Sequence, residues 1–312
     1  MRPVFLLLLL VLGSSFLYSQ PILTLNTYPR PVDFIDSMRI VADPGIPFPS
    51  GGADVSWDYS FLGAGTLHTD TYYDATSDTA FSDALNYLPS DIDLVLGGLS
   101  FTIPSNLYEG LDADGWYRTG RSLGSQTVSL TSITGAPNDR IDYPANNIDY
   151  VGRLNILQFP MNYEDQWTGS YYFDLNYEVT IGAYGLNQTP AFTRTHYRNE
   201  REIVGYGSLV LPTPSGEATA PVEVLMTKVI DTAIDSFFLA GEPAPLPLLN
   251  AFGLEQGITD VDSFYVFYTP NFGAPVALFE FPINGQVSRV VFRPQAAALS
   301  TSTSDLNMPE FR

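Results

Sequence analysis

Polar and apolar side chains alternate at period two along this chain, and that alternation leaves it little but β-strands to form. Asp54-Val55-Ser56-Trp57-Asp58-Tyr59 and the shorter Thr127-Val128-Ser129-Leu130-Thr131 show the pattern plainly. Successive strand side chains point to opposite faces, so each segment has one face to bury and one to leave in water. Residues 171–180 read as a long aromatic strand, and 191–197 with 202–210 as the next pair. Strands over 263–268, 276–281 and 286–292 follow at hairpin spacing. The last two are joined by Pro282-Ile283-Asn284-Gly285, whose Asn-Gly pair is a strong tight-turn signal. Short helical turns are expected only at residues 246–252 and 82–87.

Proline and glycine punctuate the strands. Residues 43–52 and 241–247 carry them at a density that no strand or helix interior accepts, so both are expected to be loops. From Gln295 through the Ser/Thr-rich stretch 300–304 periodicity is lost, and that end is expected to fray. The expected fold is all-β with very little helix: antiparallel strands in a β-sandwich or a strongly curved sheet. It divides into a signal peptide over 1–19, an N-terminal β region over 20–155, a C-terminal β region over 156–295 and a flexible tail over 296–312. Two subdomains would meet near residues 150–160.

Arg2 followed by the apolar run Val4 to Leu12, then Gly13, Ser14, Ser15 and Ser19, has the form of an export leader, with cleavage expected after Ser19. A core of about ten apolar residues is too short for the ~20 that a helix needs to cross a bilayer. No later stretch reaches that length without charges or prolines, so no transmembrane segment is expected after signal removal. The expected location is the periplasm, the outer surface or the extracellular medium.

The chain contains no Cys, which removes disulfides, thiolate metal sites and catalytic thiols together. With Lys+Arg 14 against Asp+Glu 34 the net charge is −20, and such a surface repels phosphate backbones, so nucleic acid is not a partner. Charged residues make up 15% and aromatics 13%, a balance that favours folded β structure over disorder.

Several motifs carry a family resemblance. Val55-Ser56-Trp57-Asp58-Tyr59-Ser60, then Asp114-Gly115-Trp116-Tyr117-Arg118-Thr119-Gly120, then Phe159-Pro160-Met161-Asn162-Tyr163-Glu164-Asp165-Gln166-Trp167, then Gly205-Tyr206-Gly207-Ser208-Leu209-Val210-Leu211-Pro212 occur in that order. Their order resembles a group of secreted Bacteroidota proteins with V-T-W-D-F-S, F-P-x-x-Y-G-D-x-W and G-Y-G-T-L-x-L-P motifs, a lineage without an established activity. Many of those proteins carry a C-terminal sorting domain, which is not evident here. The resemblance also marks Asp36-Ser37-Met38, Asp78-Thr79-Ala80 and Asp231-Thr232-Ala233 as the tripeptide form that receives O-linked sugar in that lineage. Residues 159–228 are loosely similar to periplasmic curved-sheet families related to the lipoprotein carriers.

Familiar catalytic arrangements are scarce. His68 and His196 are the only imidazoles, too few for a usual zinc site, and no G-x-S-x-G elbow occurs, which argues against a hydrolase triad. Paired carboxylates for glycoside hydrolysis are available among the 34 acids but have no readable spacing. Calcium is the best-matched ion, because Asp112 and Asp114 precede Gly115 and offer hard oxygen ligands from one turn, although a solvated turn is the simpler reading. Asp91 with Asp93 and Asp260 with Asp262 repeat the spacing. Arg194, Arg198 and Arg201 cluster beside Glu200 and Glu202, as expected of cross-strand charge pairing.

Three functions remain open. The first is a noncatalytic envelope or extracellular module that binds glycan or another cell-surface component through an aromatic face including Trp57, Trp116, Trp167 and Tyr171. The second is a periplasmic carrier of an apolar ligand on a curved sheet, and the third a glycoside hydrolase. A deep apolar cavity under the 159–228 sheet would favour the carrier. Two acids about 5–9 Å apart in a cleft lined by Trp116 or Trp167 would favour the hydrolase, and a shallow aromatic surface the binding module.

Overall fold

The computed structural model describes residues 20–281 and 286–300. The leader, the Asn284-Gly285 turn and the tail beyond residue 300 lie outside the described residues.

The fold is all-β. In the first half of the chain the strands are β1 (Phe34–Ala42), β2 (Gly52–Asp58), β3 (Thr66–Asp74), β4 (Asn86–Pro89), β5 (Ile92–Leu96), β6 (Leu99–Ile103), β7 (Ser105–Asp112) and β8 (Gly115–Leu123). Short strands β9 (Gln126–Ser129), β10 (Arg140–Tyr143), β11 (Asn146–Asp149), β12 (Val151–Arg153) and β13 (Asn155–Gln158) lead into the long β14 (Gln166–Ile181), β15 (Leu186–Val210) and β16 (Val222–Leu239). The last are β17 (Glu242–Pro243), β18 (Ile258–Tyr268), β19 (Ala277–Phe281) and β20 (Arg289–Phe292). Among the described residues the α-helices are α1 (Thr131–Thr134), α2 (Leu246–Ala251) and α3 (Ala296–Ser300), with short 3-10 turns at Leu25–Thr27, Ser60–Leu62 and Gly182–Tyr184.

The strands form one hydrogen-bonded ladder apart from the separate β5–β6 hairpin. From β14 the ladder passes to β15, β16, β18, β19, β20, β1 and β3, each pair antiparallel. It continues through β4 and β7 to β8. Residues 146–158 then close it, because β11 and β13 pair with β8 while β12, between them, pairs with β14. The sheet therefore curls so that this segment bridges β8 and β14, while β2 and β9 each pair on one side alone among the described residues. β2 is the exception in direction: it lies parallel to β15 at residues 205–210. The close approach there requires Gly207, whose φ is +150° and where any Cβ would run into the backbone of Val55.

Two sequence expectations are corrected. Residues 191–197 and 202–210 are not a pair but parts of the single strand β15, which bonds to β14 and β16 across the polar stretch between them. That stretch looks like a turn, yet Asn199 and Arg201 are buried, Arg201 Nε donating to Asn199 Oδ1 at 2.7 Å. Residues 82–87 form no helix. Asn86 instead opens β4, is fully buried and donates to the carbonyl of Pro31 at 3.2 Å, so tertiary contacts override a weak local preference. The expected helical turn over 246–252 is present as α2. The loop 43–52 is partly anchored, since Ile46 and Pro49 are buried. At the other end, Ala296 and Ala297 of α3 are buried against the core.

Burial is divided among clusters. One packs Trp57, Leu209, Val224, Phe267, Phe279 and Phe292 between β2, β15, β16, β18, β19 and β20. A second gathers Tyr28, Trp116, Leu157, Met161, Ile203 and Tyr268. Each fully buried large side chain contributes about 1.5–3 kcal/mol, enough to hold a chain without disulfides. The third cluster, around Leu130, Ile141, Leu175 and Ile181, packs less completely and encloses a cavity.

Candidate functional site

The cavity has a volume of about 740 Å³ and is partly open to solvent. That volume lies within the roughly 300–1,000 Å³ typical of small-molecule sites. Strand periodicity builds its main wall. On β14, Tyr171, Phe173, Leu175, Tyr177, Val179 and Ile181 alternate with outward residues and all line it. Ala191, Thr193, Thr195 and Tyr197 do the same on β15, and Ala233, Asp235, Phe237 and Leu239 on β16. The small residues of β15 stand opposite larger ones on its neighbours, and this leaves room in the middle of the sheet.

Two elements face this wall. The β5–β6 hairpin turns Ile92, Leu94, Leu96 and Phe101 into the cavity, and α2 adds Leu248 and Leu249. The hairpin tip is tied to the residue after α2 by Gly97 N donating to the Phe252 carbonyl at 2.9 Å. Gly97 has φ +53°, and its tip lies close enough to Ile133 that a Cβ would sit 3.1 Å from Cδ1.

At one side of this apolar space stand three aromatic rings in a row. Tyr171 pairs with Tyr197 across β14 and β15. Its ring stacks on Tyr197 at 5.2 Å and on Tyr150 at 4.2 Å. Burial pushes the Tyr171 phenol up to about 12 despite the opposing pull of Arg118, and raises Tyr197 as well. These phenols are therefore neutral donors and acceptors at ordinary pH. Tyr197 donates its hydroxyl to Asp231 Oδ2 at 2.5 Å, and Asn199 donates to the other oxygen of that carboxylate.

Arg118 lies against this row and lines the cavity. It sits deep in the protein, yet part of its surface stays open to the cavity. The groups acting on it are the phenols of Tyr171, Tyr197 and Tyr150; it forms no salt bridge among the described residues, and its buried Nε has no hydrogen-bond partner. Arg121 also lines the cavity, donating to Ser105 Oγ at 2.7 Å, to the Ser90 carbonyl and to Tyr150 Oη at 3.4 Å. Residues three apart on a regular strand face opposite ways. Here the β7–β8 register slips by one residue, Tyr108 facing Gly120 while Glu109 faces Arg118, so Thr119 bulges and both guanidiniums turn the same way.

Of the four carboxylates that line the cavity, Asp91, Asp93, Asp235 and Asp262, three accept hydrogen bonds. Asp91 accepts from the Ser105 amide at 3.2 Å, Asp93 from Thr102 Oγ1 at 2.7 Å, and Asp235 from Thr195 Oγ1 at 2.6 Å. Burial holds the Asp235 carboxyl above its usual range, more than the Thr195 hydrogen bond lowers it.

The residues singled out in the sequence are dispersed. Tyr171 is in the cavity wall. Trp57 is buried in the first core cluster, its Nε1 donating to the Ser50 carbonyl at 3.0 Å. Trp116 is buried in the second, stacked near Tyr28 and covered by Arg30 at 4.0 Å. Trp167 is half-buried and donates to the Asn155 carbonyl at 3.0 Å. Asp112 is held by Arg153 through two bonds of 2.8 Å, which lower its carboxyl, and it accepts from the Asp114 amide at 2.9 Å, while Asp114 itself is exposed. Among the described residues no group of three or more His, Cys, Asp or Glu is arranged to hold a metal ion. Arg194 pairs with Asp174 across β14 and β15 through two bonds of 2.7 Å.

Arg118 and the β5–β6 hairpin were not singled out. The hairpin had a signal, Gly97-Gly98 between two short apolar runs, whereas nothing adjacent to Arg118 distinguishes it from a surface arginine. No protein-family model matches the chain, and no match was found among curated proteins or solved structures. Among the described residues no helix is long and apolar enough to cross a membrane.

Proposed function

We propose that this protein is an exported, noncatalytic binding protein of the cell envelope or extracellular space that holds an apolar ligand in the cavity under β14, β15 and β16. The observation carrying this reading is the cavity itself: about 740 Å³ with walls that are mainly aliphatic and aromatic. Apolar surface left open to water inside a fold costs stability, and a ligand that covers it recovers that loss. Of the three readings open from the sequence, the carrier is the one that calls for such a space. A glycan-binding face draws less support, because Trp57 and Trp116 are committed to core packing.

The test is saturable binding of a neutral apolar probe, N-phenyl-1-naphthylamine, to purified, delipidated protein. One site per chain is expected by fluorescence, lost in Ala191→Trp, which places an indole in the cavity. Failure of the parent protein to bind the probe saturably would overturn the reading.

A further inference from the structure

The cavity is apolar but not uniformly so, and its exception is charged. Two guanidiniums, Arg118 and Arg121, turn into one side of it from β8, and neither forms a salt bridge among the described residues. Arg121 has three neutral acceptors; the buried Nε of Arg118 has none. Arginine stays protonated at any physiological pH, so this is a permanent positive charge in a desolvated place. Such a charge is unfavourable unless paired, and proteins rarely bury one without an anion.

For two other buried arginines this chain supplies the anion, while a third, Arg201, donates to Asn199. Arg30 is paired with Glu109, and Arg293 with Asp36 through bonds of 2.7 and 2.6 Å, all four side chains buried. None of the carboxylates that line the cavity forms an ion pair with Arg118; Glu109, opposite it in the β7–β8 register, is paired with Arg30, and Asp231 meets the Tyr row through the Tyr197 hydroxyl and is shared with Asn199, which in turn accepts from Arg201. Arg118 meets the Tyr171 phenol and the cavity instead. The tyrosines stacked beside it present neutral hydroxyl groups, which suit an oxyanion as further donors.

We propose that the cavity takes an amphiphile with a single apolar chain and an anionic head group, carboxylate or phosphate, whose oxygens pair with Arg118 while the chain lies along the β14 wall toward α2. This rests on the apolar-ligand reading and gives that ligand a polarity and an orientation. Arg121 is the second cation of the head-group site, and its neutral acceptors hold it in place. The Thr119 bulge is the backbone feature that brings the two together.

The test is displacement of N-phenyl-1-naphthylamine from the purified mature chain by dodecanoate, dodecyl phosphate and dodecanol, each below its critical micelle concentration. One or both anions are expected to displace the probe at about tenfold lower concentration than the alcohol, and which does so identifies the head group. Arg118→Gln is expected to abolish that difference, whereas Arg118→Lys keeps the charge and retains the preference. Equal displacement by all three chains in the parent protein, or an unchanged preference in Arg118→Gln, overturns the proposal and leaves the apolar cavity standing. Should Arg118→Gln fail to fold, by circular dichroism, loss of the preference when salt is raised to 1 M in the parent protein serves instead, because it screens the ion pair and not the chain. A preference unchanged by salt then overturns the proposal. Absence of binding by the probe and every chain overturns both readings.

Discussion

The two ends of the long strands treat buried arginine differently. Where β1 and β20 meet, Arg293 lies within a packed core and is neutralised by Asp36, and nearby Arg30 is neutralised by Glu109 beneath Trp116. At the cavity, Arg118 is half-buried and has phenols for neighbours in place of a carboxylate. The packed end fills its volume and matches both of these charges, although Arg201, buried beside Tyr268, donates to Asn199 and has no carboxylate. The cavity end combines open volume with two guanidiniums that have no carboxylate partner among the described residues.

That contrast can be broken by mutation. Asp36→Asn leaves Arg293 buried without its carboxylate and is expected to destabilise the protein by about 3–5 kcal/mol in denaturant unfolding. Arg118→Gln should change stability by less than about 1 kcal/mol in the absence of ligand, since no ion pair is lost. Similar losses for the two variants would mean that Arg118 has a structural partner after all.

A second comparison concerns volume. Phe267→Ala in the first core cluster removes a fully buried ring and should cost about 3–5 kcal/mol. Leu175→Ala in the cavity wall should fall at about 2 kcal/mol, because one side of Leu175 already lacks packing neighbours. Equal costs, read from the same unfolding curves, would show that the cavity collapses in solution.

The smallest effect is at Asp235. Burial raises its folded-state pKa above the unfolded value, so its contribution to stability is complete in acid and declines as pH rises from the unfolded value of about 4 through the raised folded one. Asp235→Asn should therefore be more stable than the parent at neutral pH, by under ~1 kcal/mol given its partial exposure, and the two should converge below about pH 4. A gap that widens in acid would contradict this.

Much of the fold could be read residue by residue. Alternation in 54–59, 127–131 and 171–180 reports strands because a half-buried sheet imposes that period on any sequence that forms it, and the run 263–268 with 276–281 reports a hairpin for the same reason. Reading failed where a local signal was outvoted. Residues 198–201 are polar enough to suggest a turn, but their buried members bond to each other and the strand runs on.

The site was legible in part. Tyr171 was picked for its ring and lines the cavity, whereas Trp57 and Trp116, chosen on the same ground, are core residues. An aromatic side chain fills a core as readily as it holds a ligand, and local sequence does not distinguish the two uses.

The sequence by itself determined that this chain is β throughout, free of disulfides and acidic on its surface, because residue type and period-two spacing are local properties. Only the tertiary structure decided that the curled sheet leaves a space under β14, β15 and β16, and that a one-residue slip beside Thr119 turns Arg118 and Arg121 into it. Whether a charge is paired and whether a volume is filled depend on what distant segments bring to the same place, and no single stretch of chain records that.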